Sequence, residues 1–215
     1  LSSNVPEILP FFAYVLLPIP LPMTVVQILS VDLITDILPA IGLGNEPPEA
    51  DIMRRPPRRR DERLVSGRTL LRGYAIIGLV EAILAFTVFF TVLDQGGWHW
   101  GDPLSSDALL YGQAAGAFLA TVIFGQIGNV LGCRTSRLSA WPRLQRVNRW
   151  IGAGLLVEIV FILSIVYIPA LNGIFTTAPL GWTVWAMILC APFIVFGVGE
   201  ARKALVRRGI GWLAA

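Results

Sequence analysis

Charged residues are scarce in this sequence, and their scarcity limits the possible class of protein. Asp, Glu, Lys and Arg make up 14% of the 215 residues, whereas 55% are hydrophobic and the mean hydropathy is +0.68. Soluble domains carry about 25% charged residues, so this composition excludes an ordinary soluble domain. The sequence therefore predicts a membrane protein.

The residue types that build common catalytic and metal centres are also nearly absent. The chain has one histidine, His99, and two cysteines, Cys133 and Cys190, which lie in different apolar segments. No Ser-His-Asp set, phosphate-binding loop or Cys/His metal cluster can be recognised. We interpret His99 as a surface loop residue and predict neither a disulfide nor a catalytic residue in this chain.

Long apolar segments dominate what remains, and no Lys or Arg lies in the central part of any of them. Such segments approach the roughly 20 residues that cross a hydrocarbon layer about 30 Å thick. We predict an all-α, polytopic membrane helical bundle that forms one domain over residues 1–215. Its six transmembrane helices are predicted at 5–19, 24–43, 70–93, 109–132, 150–168 and 181–199.

All 17 basic residues lie in alternate connections. By the positive-inside rule these connections are cytoplasmic, which also places both ends of the chain in the cytoplasm. The pI of 9.2 is therefore a topology signal, and we predict an integral protein of a bacterial-like plasma membrane with lipid, not nucleic acid, around it. The basic connections are 54–72, 134–149 and 202–208, and those without Lys or Arg are 18–23, 94–108 and 169–180.

Five acidic residues nevertheless fall inside the predicted helices. A charged Asp at the centre of a membrane helix costs roughly 2.5–3.5 kcal/mol, and no basic residue of this chain lies at the same depth. A proton, a mobile cation or a basic residue of another segment must therefore neutralise them. The five are Glu7, Asp32, Asp36, Glu81 and Glu158.

Asp32 and Asp36 are spaced to share one face of an α-helix, about 6 Å apart along its axis. Thr35 adds a hydroxyl beside them. Pro39 has no N–H for the Thr35 carbonyl, which is predicted to become a further oxygen ligand. Glu7 is predicted at a similar depth on the preceding helix. This arrangement predicts a site for a cation that prefers oxygen ligands.

Amide side chains add to this set. Asn4 lies one helical turn before Glu7, and Gln126 and Asn129 are three residues apart on the fourth predicted helix. Gln126 and Asn129 are equally explained as interhelical hydrogen-bonding residues. Glu81 and Glu158 have no polar neighbours at helical spacing, so each is either a protonated packing residue or a member of a proton path.

Several segments together resemble the C-terminal region of the P-type cation ATPases, in the group that contains the calcium pumps and the sodium/potassium pumps. They read SSNVPE at 2–7, DLITDILPA at 32–40 and PPEADIMRRPPR at 47–58. Gln126-x-x-Asn129 with CRT at 133–135, and EARK at 200–203, extend the similarity over nearly the whole chain. The resemblance implies membrane helices five to ten of such a pump.

The resemblance also implies which residues bind the transported cation and what lies elsewhere in the pump. The cation would be Ca²⁺, Na⁺ or K⁺, with Glu7, Asp32 and Asp36 as its carboxylate ligands. ATP and Mg²⁺ would bind to cytoplasmic domains outside this chain, which the loop 45–68 would couple to the membrane helices. The implied cation-binding residues are Asn4, Glu7, Asp32, Thr35, Asp36, Gln126 and Asn129, with Ser3 as a weaker candidate.

The sequence departs from the complete pattern of the family. It has no Asp-Lys-Thr-Gly-Thr phosphorylation motif, no nucleotide-binding domain and no first four membrane helices, so we expect this chain alone to be inactive. Asp32 and Gln126 resemble the sodium/potassium pumps, whereas Pro47-Pro48 resembles the calcium pumps. From the residues alone, an ion-gradient-driven secondary transporter or channel and a non-transporting membrane scaffold remain alternatives.

Overall fold

The computed structural model describes residues 2–49, 51–54, 67–146 and 148–208. These residues form helices joined by short connections and contain no strand, which confirms the predicted all-α membrane bundle. The helices are α1 (Asn4–Leu16), α2 (Val25–Ser30), α3 (Ile37–Gly44), α4 (Gly67–Leu70), α5 (Leu79–Gln95), α6 (Leu109–Cys133), α7 (Trp141–Leu144), α8 (Arg149–Tyr167), α9 (Pro169–Phe175) and α10 (Trp182–Arg207), with π-helical turns at Val31–Thr35 and Leu71–Gly78 and a 3₁₀ turn at Ile52–Arg54.

Five continuous helical stretches are long and apolar enough to cross a membrane. Arginine lies only near the ends of these stretches. The crossings predicted at 70–93 and 109–132 correspond to the continuous apolar stretches Gly73–Gln95 and Leu109–Cys133. The five stretches are Val25–Gly44, Gly73–Gln95, Leu109–Cys133, Arg149–Tyr167 and Trp182–Arg207.

The first predicted crossing is shorter than expected. Helix α1 ends at Leu16 rather than at residue 19, and Leu17 is already extended with φ −125° and ψ 146°. The cause is local, because Pro18 follows directly and disfavours the helical conformation of the residue before it. At 13 residues, α1 falls short of the roughly 20 residues that a full crossing needs.

Helix α6 forms the centre of the bundle and packs against α5 and α10. Small residues allow this close approach, as in many membrane helix pairs. A Cβ atom built on Gly128 would lie 2.2 Å from the Pro192 carbonyl oxygen of α10. On the other side of α6, the Phe118 ring meets the Phe89 ring of α5 edge-on at 6.1 Å between centroids. The buried position of α6 brings its polar residues into the middle of the bundle.

The helix that carries the paired aspartates is not a regular α-helix. The Asp36 amide donates to the Val31 carbonyl at 3.0 Å, which is the hydrogen bond of a π-helical turn. Such turns are rare in proteins, and those that occur are often found at functional sites. Asp32 and Asp36 differ in burial: Asp32 is exposed, whereas Asp36 is half-buried.

Part of the predicted coupling loop lies outside the described residues. Of the loop 45–68 and the basic connection 54–72, residues 50 and 55–66 are not described. The described part begins at Asn45, at the end of α3. Here Asn45 donates from its side chain to the Ile41 carbonyl at 2.9 Å.

Candidate cation-binding site

A cavity of about 140 Å³ opens between the start of the chain, α3, α6 and α8. A cavity of this size holds a cation together with several water molecules. Among the described residues its lining contains no Lys or Arg. Its polar lining residues are Ser2, Ser3, Thr35, Asp36, Gln126, Asn129 and Glu158.

Asp36 supplies a carboxylate to this cavity from the N-terminal end of α3. Its Oδ2 accepts a hydrogen bond of 3.1 Å from the hydroxyl of Ser3. Asp36 is also close enough to interact electrostatically with Glu7, Glu81 and Glu158. Mutual repulsion of several carboxylates in a membrane interior disfavours their simultaneous ionisation unless a cation lies between them.

Thr35 and Gln126 meet on the opposite wall. The Thr35 hydroxyl donates to the Val31 carbonyl at 2.8 Å and lies 3.4 Å from Gln126 Oε1. The Nε2 atom of Gln126 is buried and has no hydrogen-bond partner among the described residues. Because Nε2 is a hydrogen-bond donor, it requires an acceptor such as water, and Oε1 is the atom of this amide that can bind a cation.

Asn129 lies one helical turn beyond Gln126 and closes the cavity towards the start of the chain. Its Nδ2 donates to Ser2 Oγ at 2.7 Å, and its Oδ1 accepts from Cys133 Sγ at 3.4 Å. The structure therefore brings together four of the seven residues predicted from the resemblance, namely Thr35, Asp36, Gln126 and Asn129, with the weaker candidate Ser3.

Glu158 is the site residue that the sequence did not assign. It is 1% exposed, it lines the cavity with Asp36, and neither of its carboxylate oxygens has a hydrogen-bond partner among the described residues. One signal in the sequence could have identified it. Glu158 lies at helical spacing from Ile151 and Gly154, so it is an acid on the face of α8 that is buried. Its polar neighbours all come from other helices.

The other three predicted residues lie apart from the cavity lining. Glu7 is 7% exposed and lines a separate apolar groove with Phe11, Phe12 and Ile28. Its Oε1 is buried without a partner among the described residues. Asp32 is exposed and Asn4 is half-buried. Glu7, Asp32 and Asp36 therefore do not surround one common cavity, and no cluster of three or more metal-binding side chains occurs in the described part of the chain.

Glu81 is a further buried acid close to the site. It is 1% exposed, and both of its carboxylate oxygens are without a hydrogen bond in the described structure. Its Cγ lies 3.2 Å from the position that a Cβ on Gly125 would occupy. Glu81 thus lies beside the residue that precedes Gln126, outside the lining of the cavity.

The fold and the cavity together define a class of protein: a multi-pass helical membrane domain with an acidic cavity that is lined by oxygen-bearing side chains. The family described as "Cation transporting ATPase, C-terminus" matches residues 20–205. The chain belongs to this family, which confirms the resemblance to the C-terminal region of P-type cation ATPases.

Similar proteins agree with the family match. The sodium/potassium-transporting ATPase subunit alpha-4 of Rattus norvegicus is 32% identical over 99% of this chain. The corresponding alpha subunit of Drosophila melanogaster is 32% identical over 99%, and the alpha-2 subunit of Gallus gallus is 32% identical over 97%. The chain spans 23% of the length of each of these relatives.

Proposed function

We propose that this chain is the membrane transport domain of an ATP-driven P-type cation pump. In this proposal the cavity between α3, α6 and α8 receives the transported cation. The observation that carries it is the convergence of Asp36 and Glu158 on one cavity whose described lining includes no basic side chain. Acids at this depth need a compensating charge, and a cation that enters and leaves supplies one.

The chemistry of the lining fits a cation with a preference for oxygen. Carboxylates, amide carbonyls and hydroxyls are ligands for Ca²⁺, Na⁺ and K⁺ alike. Ser3, Thr35 and Asn129 would complete the shell around the two carboxylates. The family membership favours the same ions, and the relatives' names specify sodium and potassium transport. Among these ions we favour Na⁺ and K⁺, which also agrees with Asp32 and Gln126.

Asn4, Glu7 and Asp32 complete the proposed ligand set in a different arrangement of the helices. Glu7 interacts electrostatically with Asp32 and Asp36, although it lines another groove in this structure. A movement of α1 relative to α3 would bring its buried and unpartnered Oε1 towards the cavity. The affinity for the cation would then change with the helix arrangement, as transport requires.

The remainder of the pump would supply the energy. The chain lacks the phosphorylation motif and spans 23% of the length of its relatives. We propose that the parent protein hydrolyses ATP with Mg²⁺ in cytoplasmic domains, and that this chain by itself neither hydrolyses ATP nor transports. The N-terminal membrane helices and these cytoplasmic domains would be its partners within the same protein.

The proposed orientation places the basic connections on the cytoplasmic side. Arg134 and Arg143 belong to one of them, and both contact the segment after α3, so these two connections lie at the same end of the bundle. Counting α1 as a sixth, shortened crossing beside the five long ones, both ends of the chain would then be cytoplasmic, in a plasma membrane.

The test uses the full-length protein purified from membranes. Phosphorylation by ATP is measured against the concentration of Na⁺, K⁺ and Ca²⁺ for wild type, Asp36→Asn and Glu158→Gln, with Asp94→Asn as the control on an exposed acid. We expect cation-dependent phosphorylation in wild type and the control, and a half-saturating concentration raised at least about tenfold in the two site variants. Cation flux without ATP and without phosphorylation would favour a gradient-driven transporter instead.

A further inference from the structure

Helices α3 and α8 are locked together by two contacts between their backbones. A Cβ built on Gly42 would lie 2.8 Å from the backbone nitrogen of Ile151. A Cβ built on Gly154 would lie 3.0 Å from the nitrogen of Pro39. The pairs Gly42–Ile151 and Pro39–Gly154 run in opposite chain directions, so the two helices are antiparallel. Each glycine leaves room for a backbone and not for a side chain.

The cavity lies next to these two contacts between α3 and α8, on the side of Pro39 and Gly154. Asp36 precedes Pro39 by three residues, and Glu158 follows Gly154 by four, so each carboxylate lies on the helix face that makes the glycine contact. Both side chains line the cavity. The separation of these two carboxylates is therefore set by how α3 sits against α8.

On the side of Gly42 and Ile151, a polar side chain links the two helices. Asn148 donates from one amide nitrogen to the Gly42 carbonyl at 3.1 Å and to Glu46 Oε2 at 2.7 Å. Its Oδ1 accepts from the Trp150 and Ile151 amides at 3.1 and 3.3 Å. One side chain thus caps the start of α8 and holds the end of α3.

Glu46 is fixed in turn by two arginines of the connection after α6. Its Oε1 accepts from Arg134 Nε at 3.0 Å and lies 3.4 Å from Arg143 Nη1. Arg143 also donates to the Pro48 carbonyl at 2.7 Å. The Glu46 side chain is only 7% exposed. We call Asn148, Glu46, Arg134 and Arg143 the clasp.

We propose that Asn148 and Glu46 are positioning residues for cation binding: the clasp sets the register of α3 against α8 and thereby the distance between Asp36 and Glu158. This inference rests on the proposed function of the cavity. It assigns a role in ion affinity to residues that do not touch the ion and lie nearly three helical turns, about 15 Å along the helix axis, from the two carboxylates. Outer residues that orient ligands typically change metal affinity by about 10- to 100-fold when mutated.

Asn148 offers a substitution that separates its two roles. Asn148→Asp retains an oxygen that caps α8, and Asp is as good an N-cap as Asn. It loses the amide that donates to Gly42 and Glu46, and it places a carboxylate against the Glu46 carboxylate. The helix start is preserved while the register contact is broken.

Glu46→Gln provides the matched rescue. In the double variant Asn148→Asp with Glu46→Gln, the amide nitrogen introduced at position 46 takes the place of Oε2 and donates to the carboxylate introduced at position 148. The hydrogen bond between the side chains at positions 46 and 148 is thereby restored, with donor and acceptor exchanged. The remaining side-chain oxygen at position 46 stays available to Arg134.

The experiment measures phosphorylation by ATP against Na⁺, K⁺ and Ca²⁺ concentration in the full-length protein. For Asn148→Asp we expect the half-saturating concentration to rise about tenfold or more with the maximal phosphorylation retained, and the double variant to recover most of the shift. A purely structural role would lower the maximal level and leave the half-saturating concentration unchanged, which would overturn the proposal.

A second variant and the behaviour of wild type distinguish failure of the positioning role from failure of the proposed function. If Asn148→Asp does not accumulate as folded protein, Glu46→Gln alone is measured, with the same expected rise and the same contrary result. If wild type itself shows no cation dependence, the proposed function of the cavity fails. An unchanged half-saturating concentration in the variants of a cation-dependent wild type overturns only the positioning role.

Discussion

Arg134 Nε donates to Glu46 Oε1 at 3.0 Å, in an ion pair whose side chains are 5% and 7% exposed. Burial opposes ionisation of Glu46, but the hydrogen bonds from Asn148 and Arg134 and the charges of Arg134 and Arg143 outweigh it, so the pKa of Glu46 lies below its usual value. The pair ties the segment after α3 to the connection after α6.

The lowered pKa of Glu46 predicts the pH dependence of stability. The charged carboxylate stabilises the folded state above the unfolded-state pKa, about 4.3, and this contribution is lost as pH falls through the lower folded-state pKa. We expect Glu46→Gln to lower the free energy of unfolding by about 2 kcal/mol at about pH 7. The difference from wild type, measured by thermal unfolding in detergent, should shrink below about pH 4. Asp94→Asn serves as the control, and a difference from wild type that does not decrease at all as the pH falls below about 4.3 would contradict this account.

The contact between Gly128 and Pro192 predicts a strong effect of a single methyl group. Gly128→Ala would place its Cβ 2.2 Å from the Pro192 carbonyl oxygen, so α6 and α10 must separate, and we expect a loss of about 1–3 kcal/mol. Gly132→Ala on the same helix is the matched control, because its Cβ would lie 3.9 Å from the Phe196 ring. Thermal unfolding of both variants checks the prediction, and equal stability of the two would refute it.

Lys203 anchors the C-terminal end of α10 and is 1% exposed. Its Nζ donates to the Gly132 carbonyl, Thr135 Oγ1 and Glu200 Oε1 at 2.7, 2.9 and 2.7 Å. Removing one partner of a buried ion pair costs about 3–5 kcal/mol, so Lys203→Met should be strongly destabilising. The double variant Lys203→Met with Glu200→Gln should lose less than the sum of the single variants in a thermal-unfolding cycle. Strict additivity would show that the two side chains do not interact.

The proposed orientation predicts which connections are accessible from each side. In a background of Cys133→Ser and Cys190→Ala, Ser105→Cys should react with an impermeant thiol reagent added outside intact cells. Ser136→Cys, in a basic connection, should react only after the membrane is opened. Both positions are exposed. The reverse pattern of labelling would invert the topology.

Sequence reasoning predicted the helices, and it predicted four of the residues that line the cavity. Membrane crossings are specified locally by hydrophobic length, Thr35 and Asp36 are neighbours in the chain, and Gln126 and Asn129 are brought together by helical spacing along one helix. The predicted groups therefore needed only that two helices pack face to face. The family resemblance pointed to the same residues.

Other features depended on contacts between distant segments and were missed. Glu158 becomes a site residue only because α3 packs on α8, more than 100 residues apart in the chain. The π-helical turn at Val31–Thr35 is a change in hydrogen bonding that hydrophobic periodicity does not reveal. Glu7 lines a groove with Ile28 of the following helix, a contact that its position in the sequence does not predict.

The central claim is that a cation enters the cavity between Asp36 and Glu158. The most direct measurement is a crystal structure of the full-length protein soaked with Rb⁺ or Tl⁺, recorded at the anomalous edge of the ion. The account predicts an anomalous peak in this cavity within direct coordination distance of oxygens from both carboxylates. A cavity filled by an arginine or lysine side chain from another segment, or an ion bound elsewhere while this cavity stays dry, would contradict it.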